Sequence, residues 1–511
     1  VRDGAPIWSH EMNIAEHVER QAQKNPNRTA ILFEGTSVSY GVLDYCARAL
    51  ADSLAKHGVN PGDRVAIYLP NIPAFALAYL AIQKAGAVAV SINSIFKWQE
   101  VRFIVNDSQP KVLFTTAELL PNLPRPECPS IKHTVLCEGT EPDEISLDDW
   151  LAAGNPRFRT TSMAPDDPAS LLYSSGTTGT PKGVTLTHAN IVSNSRVTAK
   201  VVGFEPGDGL ALFLPLFHVF GQNFIMNGSF QAGATLVLFR RFVPEVVLES
   251  VKRREITKFF AVPTIYIALL NAGLPREALA PVGYYFSAAA TMPEEISRRW
   301  FERFGRRVYE GYGLTECSPF ACYNHATEHR FGSVGTAVPD FELKIFDEQD
   351  QELPRGEWGE IVIRGPGVMK GYWGKPEDTE RALRRGWLHS GDIGRMDDDG
   401  YVYIVDRVKD MINVSGFKVW PAEVEQMLYR HPAVKEVAVY GVPDPLKGEQ
   451  VRVAVVLKDG AHATPEAIGK YCRDMLAVYK APERVEIVKE LPKSATGKIL
   501  KRVLRDQASG V

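Results

Sequence analysis

Short apolar runs alternate with helix-period segments over most of this chain. Arg64–Leu69, Lys111–Phe114, Ala169–Tyr173, Leu210–Leu214, Ala234–Phe239, Lys258–Val262 and Tyr284–Ser287 are each bounded by Gly, Pro, Asn or Asp. Runs of this length between such residues predict buried strands. Several feed helices. Pro73–Ala85 follows one, and Thr187 is placed to cap a helix running to about Val202. Strand–helix alternation predicts an α/β architecture: mostly parallel sheets covered by helices.

The pattern changes after Gly335. Glu342–Phe346 and Glu360–Arg364 alternate with period two across the turn-rich Asp347–Glu357, which predicts a smaller, more antiparallel subdomain over about 335–405. A further break falls near Asp406–Asp410. Beyond it the pattern predicts a helix at Pro421–Tyr429, strands at Val434–Tyr440 and Val451–Leu457, a helix at Pro465–Leu476 and a strand at Arg484–Val488. That is an α+β unit large enough to fold alone. The expected division is a large N-terminal domain, 1–407, and a small C-terminal domain, 408–511.

The chain has 511 residues, 45% hydrophobic and 23% charged, as in an ordered globular protein. A formal net charge of −3 offers no basic surplus for nucleic acid. Six cysteines (46, 128, 137, 317, 322 and 472) form no C-x-x-C pair and read as reduced thiols in a cytoplasmic protein. Val1–His10 lacks the apolar core of a signal peptide. The most apolar stretch, Phe75–Ile92, is interrupted by Gln83 and Lys84 and reads as a buried core helix, not a membrane span.

The stretch Tyr173-Ser174-Ser175-Gly176-Thr177-Thr178-Gly179-Thr180-Pro181-Lys182-Gly183 carries the clearest chemistry. A buried-type strand runs into hydroxyl residues, glycines and one lysine. Glycines let backbone N–H groups face an anion, hydroxyls add donors, and the lysine adds a point charge. A flexible linker has a similar composition, but the preceding strand and the lysine weigh against one. The spacing is not that of the common nucleoside-triphosphate loop, and Lys182 is followed by glycine.

This stretch resembles the phosphate loop of the adenylate-forming superfamily, which includes acyl- and aryl-coenzyme A synthetases, luciferases and the adenylation domains of peptide synthetases. Four further segments match family motifs in order: Tyr309–Glu316, Ser390-Gly391-Asp392, Asp406–Ile412 and Pro492–Lys498. The resemblance covers nearly the whole chain and is strongest to bacterial fatty-acyl-CoA ligases.

The resemblance implies roles residue by residue. Ser174, Ser175, Thr177, Thr178 and Lys182, with Gly176 and Gly179 shaping the turn, would grip the β- and γ-phosphates of ATP. Thr315 would contact the α-phosphate, and Glu316 would bind Mg²⁺, which suits one carboxylate plus phosphate oxygens. Tyr312 would stack on adenine. Asp392 would accept from both ribose hydroxyls, as two carboxylate oxygens match a vicinal diol, and Arg407 would reach the ribose from the other side. Ala288-Ala289-Ala290 would flank adenine and acyl group, although the family often has glycine where Ala288 stands. His218 would sit beside the carboxylate and the acyl chamber. Lys498 would bridge carboxylate and α-phosphate and stabilise developing charge.

Lys498 and Gly416 fall in the same C-terminal domain, which in the family rotates between half-reactions about a hinge matching Lys409. One pose delivers the lysine. The other brings Gly416 to a pantetheine tunnel, where a small residue leaves room for the thiol arm. The implied activity is acyl-AMP formation from ATP and a carboxylic acid, then transfer to coenzyme A. A carrier protein, expected to act in trans, or an amine is the alternative acceptor. A non-catalytic relative would be expected to lose Lys498 or Glu316, and both are present.

Leu216–Gly228 and Tyr284–Met292 are rich in Phe, Ala and Val, and no acidic residue there stands ready for an α-ammonium group. Phe217, Phe220, Phe224 and Phe286 indicate an apolar acyl group. A medium- or long-chain fatty acid leads, with an aryl acid second. Oligomeric state is not readable; a homodimer is the commonest form among oligomeric enzymes.

Overall fold

The computed structural model describes residues 13–175, 181–325, 327–407 and 410–509. Two sheets dominate. The first orders nine strands as Thr336–Ala337, Cys322–Tyr323, Val308–Tyr312, Tyr284–Ser287, Lys258–Ala261, Gly209–Leu212, Thr235–Leu238, Thr29–Phe33 and Thr36–Ser39. Its middle six strands are parallel, and the pairings at either edge are antiparallel. The second orders eight as Gly371–Tyr372, Pro181–Thr187, Pro168–Ser175, Val88–Ser91, Arg64–Ile67, Val112–Thr115, His133–Leu136 and Ile145–Ser146. It is parallel from Pro168–Ser175 onward. This is the α/β class expected from strand–helix alternation.

Local chemistry explains where the helices begin. Thr187 Oγ1 accepts from Asn190 N–H at 3.2 Å, and Asn190 Oδ1 accepts from Thr187 N–H at 2.9 Å. This reciprocal cap starts the helix His188–Val202, which stops at Gly203 with φ +68°. Pro73 opens the helix Pro73–Lys84, a first-turn position that needs no N–H. That helix is buried, as the composition of Phe75–Ile92 implies, but it covers only part of the stretch. Chain reversal at Gly86 (φ +71°) returns the rest as the strand Val88–Ser91. Lys84 is fully buried because its ammonium meets Glu19 at 2.5 Å and Asp44 at 2.7 Å.

The third sheet is antiparallel: Glu342–Phe346, Gly359–Arg364, Leu388–Met396 and Val402–Arg407. It is the smaller β-rich part that the period-two alternation predicts. A fourth sheet orders Phe417–Val419, Ile412–Val414, Gly448–Leu457 and Val434–Asp444, with Arg484–Ile487 parallel to Gly448–Leu457. Helices Pro421–Tyr429, Pro465–Met475 and Lys501–Ser509 accompany it. Among the described residues, no helix is long and apolar enough to cross a membrane.

Candidate active site

The second sheet carries the hairpin expected to bind phosphate. Pro168–Ser175 and Pro181–Thr187 are an antiparallel pair, with Ser174 opposite Lys182. Lys182 therefore stands on a strand, where neighbouring backbone fixes its direction. Gly176, Thr177, Thr178 and Gly179 lie outside the described residues, as does the expected hinge, Lys409. Ser175 ends the first strand of the pair.

Glu316 reaches this hairpin from the first sheet. It lies in the single turn Thr315–Cys317, just beyond the strand Val308–Tyr312. Its Oε1 accepts from the Tyr372 hydroxyl at 3.0 Å and from Ser174 Oγ at 3.4 Å. Burial pushes this carboxyl up, while its backbone, Tyr372, Arg407 and Ser174 pull it back toward the charged form. Among the described residues, no group of three or more His, Cys, Asp or Glu could hold a metal ion. A single carboxylate fits a divalent ion only when phosphate oxygens and water complete its shell.

Asp392 joins three remote segments. Its Oδ2 accepts from the Tyr312 hydroxyl at 2.8 Å, and its Oδ1 lies 3.2 Å from Arg407 Nε. Asp392 and Arg407 face one another across adjacent strands of the third sheet. The Ser390-Gly391-Asp392 turn is held by Gly391 N–H donating to Glu360 Oε1 at 2.9 Å and by Ser390 Oγ accepting from Asp392 N–H at 3.1 Å. Burial and the Asp392 charge drive the Tyr312 phenol far up, so it remains a donor.

His218 lies between the strand Gly209–Leu212 and the π-helical segment Phe220–Asn227. Its Nδ1 accepts from Phe220 N–H at 3.2 Å, so the neutral ring carries its proton on Nε2. Burial, then the Lys498 charge, depress the imidazole to about 4. Ala289 is exposed at φ +69°, in the left-handed region that residues other than glycine seldom occupy.

Lys498 comes from the other end of the chain and is close enough to His218 to act on its charge. Its loop is built locally. Ser494 N–H donates to Lys498 O at 2.8 Å, Gly497 N–H donates to Ser494 O at 2.9 Å, and Lys498 N–H donates to Ser494 Oγ at 3.2 Å. Gly497 turns at φ +79°, and a Cβ there would come within 3.0 Å of Val262 and 3.1 Å of Thr264. The fourth-sheet unit thus rests its loop on Val262–Thr264 of the larger part.

Gly416 is not part of this assembly. It is exposed in the turn between Ile412–Val414 and Phe417–Val419, at φ +88°, with no neighbour near the position of a Cβ. Its preceding residue, Ser415, also has positive φ, 52°. The glycine has a local reason, a left-handed turn, beside the tunnel role expected of it.

Three residues of this region escaped the sequence reading. Tyr372 and Asp378 bind Glu316 and Lys182 respectively, across separations that no local pattern reveals. Glu310 is 3% exposed and its Oε1 has no hydrogen-bond partner, with its carboxyl driven far up by burial. Its signal was its place within Tyr309–Glu316, where only Tyr312, Thr315 and Glu316 received roles.

The family model "AMP-binding enzyme" matches residues 18–373, and "AMP-binding enzyme C-terminal domain" matches 423–498. The chain belongs to the AMP-binding enzyme family, the adenylate-forming enzymes. It is 36% identical over 520 residues to a long-chain-fatty-acid–CoA ligase of Bacillus subtilis (strain 168), covering 95% of this chain and 93% of that one. It is also 36% identical over 492 residues to a feruloyl-CoA synthase of an Amycolatopsis species, covering 95% and 97%. The crystal structure of ATP-bound MatB from Rhodopseudomonas palustris matches with a TM-score of 0.91 and 32% identity, covering 97% and 99%.

Proposed function

We propose that this protein is an AMP-forming acid–CoA ligase whose acid is a medium- or long-chain fatty acid. In the first half-reaction a carboxylate oxygen attacks the α-phosphorus of ATP, and pyrophosphate leaves. In the second, the thiol sulfur of coenzyme A attacks the acyl carbon of the adenylate, and AMP leaves.

One observation carries this reading: the loop bearing Lys498, from the fourth-sheet unit, is docked on Val262–Thr264, with the Thr264 hydroxyl donating to the Gly497 carbonyl at 3.2 Å, and the Lys498 charge helps to depress His218. A lysine on this loop would bridge carboxylate and α-phosphate, where a preorganised donor acts on charge developing in transfer. Neutral His218 offers an Nε2–H donor beside it without adding charge. Ser174, Ser175 and Lys182, with the turn Gly176–Gly179, would hold the β- and γ-phosphates. Thr315 would meet the α-phosphate. Glu316 would hold Mg²⁺ together with phosphate oxygens, and the ion supplies charge neutralisation when bound. Asp392, already linked to Tyr312 and Arg407, would accept the ribose hydroxyls. Tyr312 and Ala289 would flank adenine.

The acyl group would lie against the aromatic cluster of Phe220, Phe224 and Phe286, which is packed in the buried core and whose apolar character suits an alkyl chain. The relatives named long-chain-fatty-acid–CoA ligases support the same choice. A second reading, an aryl acid, is favoured by the Phe224–Phe286 stack, 4.8 Å between centroids, and by the feruloyl-CoA synthase relative. The domain boundary after Arg407 and a rotation that brings Gly416 to the thiol belong to the same proposal.

Incubation with ATP, Mg²⁺, coenzyme A and a panel of alkyl and aryl acids tests it. AMP and an acyl-CoA thioester form with alkyl acids of medium or long chain. AMP without thioester, or thioester from aryl acids alone, contradicts the acceptor or the acid respectively.

A further inference from the structure

Lys182 is held in a specific place. Its Nζ lies 3.0 Å from Asp378 Oδ1, and the two side chains are only 14% and 20% exposed. The same ammonium stands over the Tyr372 ring, 5.1 Å from its centroid. Tyr372 occupies the edge strand Gly371–Tyr372, paired with the strand that carries Lys182, and its hydroxyl is the one that donates to Glu316. Asp378 is in the first turn of the helix Pro376–Ala382, and Arg381 meets the same oxygen at 2.5 Å.

An ammonium has three donors but one charge. While Asp378 neutralises Lys182, a phosphate oxygen must compete for it. A polyphosphate carries more charge than one carboxylate, so it prevails, at a cost set by Asp378. Arg381 is already in contact, so Asp378 keeps a partner when Lys182 turns to phosphate. After adenylate forms, the carboxylate can take Lys182 back as pyrophosphate leaves.

Resting on the ligase reading, we infer that Asp378 is a positioning residue that holds Lys182 by ion pairing and so sets the affinity of the site for triphosphate and pyrophosphate. The relation has a definite sign. Removing the carboxylate charge strengthens binding of both anions. Removing Arg381 leaves Asp378 more dependent on Lys182 and weakens both.

The test is steady-state kinetics of ATP–pyrophosphate exchange and of thioester formation with Asp378→Asn, Asp378→Glu and Arg381→Gln. Asp378→Asn lowers the KM for ATP and the inhibition constant for pyrophosphate by roughly three- to tenfold, as expected for one partly screened charge. The KM for the acid stays put, and Asp378→Glu restores wild-type values. Arg381→Gln raises both constants. A merely structural Asp378 would move the acid KM and kcat instead. Unchanged or raised ATP and pyrophosphate constants in Asp378→Asn overturn the inference. If the wild-type protein shows acid-dependent exchange, that failure leaves the ligase reading intact. If the wild type exchanges with no acid, the ligase reading itself falls.

Discussion

The Thr264 hydroxyl donates to the Gly497 carbonyl at 3.2 Å, a bond between residues 233 positions apart. It ties the lysine-bearing loop to the start of the helix Pro263–Asn271. Lys498, the lysine proposed to act in adenylation, is the next residue.

Thr264→Val keeps the shape and removes the donor. Leaving the Gly497 carbonyl unpaired in this pose costs about 1 kcal/mol, roughly fivefold in population. Acyl-adenylate formation slows by that factor in single-turnover measurements, while thioester formation from supplied acyl-adenylate is unchanged. Equal slowing of both steps would show that the bond maintains the fold and does not select the pose.

Gly416 needs a different substitution from the obvious one. A leucine at φ +88° would strain the turn whatever the thiol path requires. Asparagine tolerates positive φ better and still adds bulk. Gly416→Asn keeps pyrophosphate exchange within about twofold of wild type but slows release of acyl-CoA at least tenfold, read by thioester formation after adenylate has accumulated. Wild-type release would remove Gly416 from the thiol path.

Much of this was legible in the chain because the strands are short, buried and bounded by turn residues. The seven early apolar runs each overlap a strand, and Thr187 caps its helix as its side chain and Asn190 dictate. What stayed hidden is what distance in sequence hides. Ser174 and Glu316 meet across 142 residues, and Tyr312 and Asp392 across 80. Their motifs implied the roles, but the partners Tyr372 and Asp378 belong to ordinary-looking edge-strand and helix sequence. The π-helical segment Phe220–Asn227, whose Phe224 packs on Phe286 and Phe320, is invisible for another reason: its apolar positions fit an α-helix equally well.

Acid should destabilise the fold through its buried histidines. His17 is buried with neither ring nitrogen bonded, and desolvation lowers it to about 3; His188 and His329 are lowered to about 4. Folded, these rings stay neutral; unfolded, they protonate near 6.5. The unfolded chain therefore binds more protons between those limits. The stability they contribute is fully present above pH 6.5 and is lost as pH falls toward 4. Glu310, whose carboxyl is raised by burial, acts in the opposite direction. For His17 alone the loss between pH 7 and pH 5 is about 2 kcal/mol. Denaturant unfolding at the two pH values checks this. His17→Leu loses about 2 kcal/mol less than wild type over that interval. An equal loss in both proteins would contradict the assignment.

In the proposed mechanism, Lys498 completes a nucleotide site assembled from the first, second and third sheets. The most direct measurement is acid-dependent exchange of labelled pyrophosphate into ATP by the wild-type protein and by Lys498→Ala. Wild type exchanges with at least one medium- or long-chain alkyl acid, and Lys498→Ala loses ~10²–10³ of that rate while still converting supplied acyl-adenylate and coenzyme A to thioester. Undiminished exchange in Lys498→Ala, or exchange with no acid at all in wild type, would contradict the account.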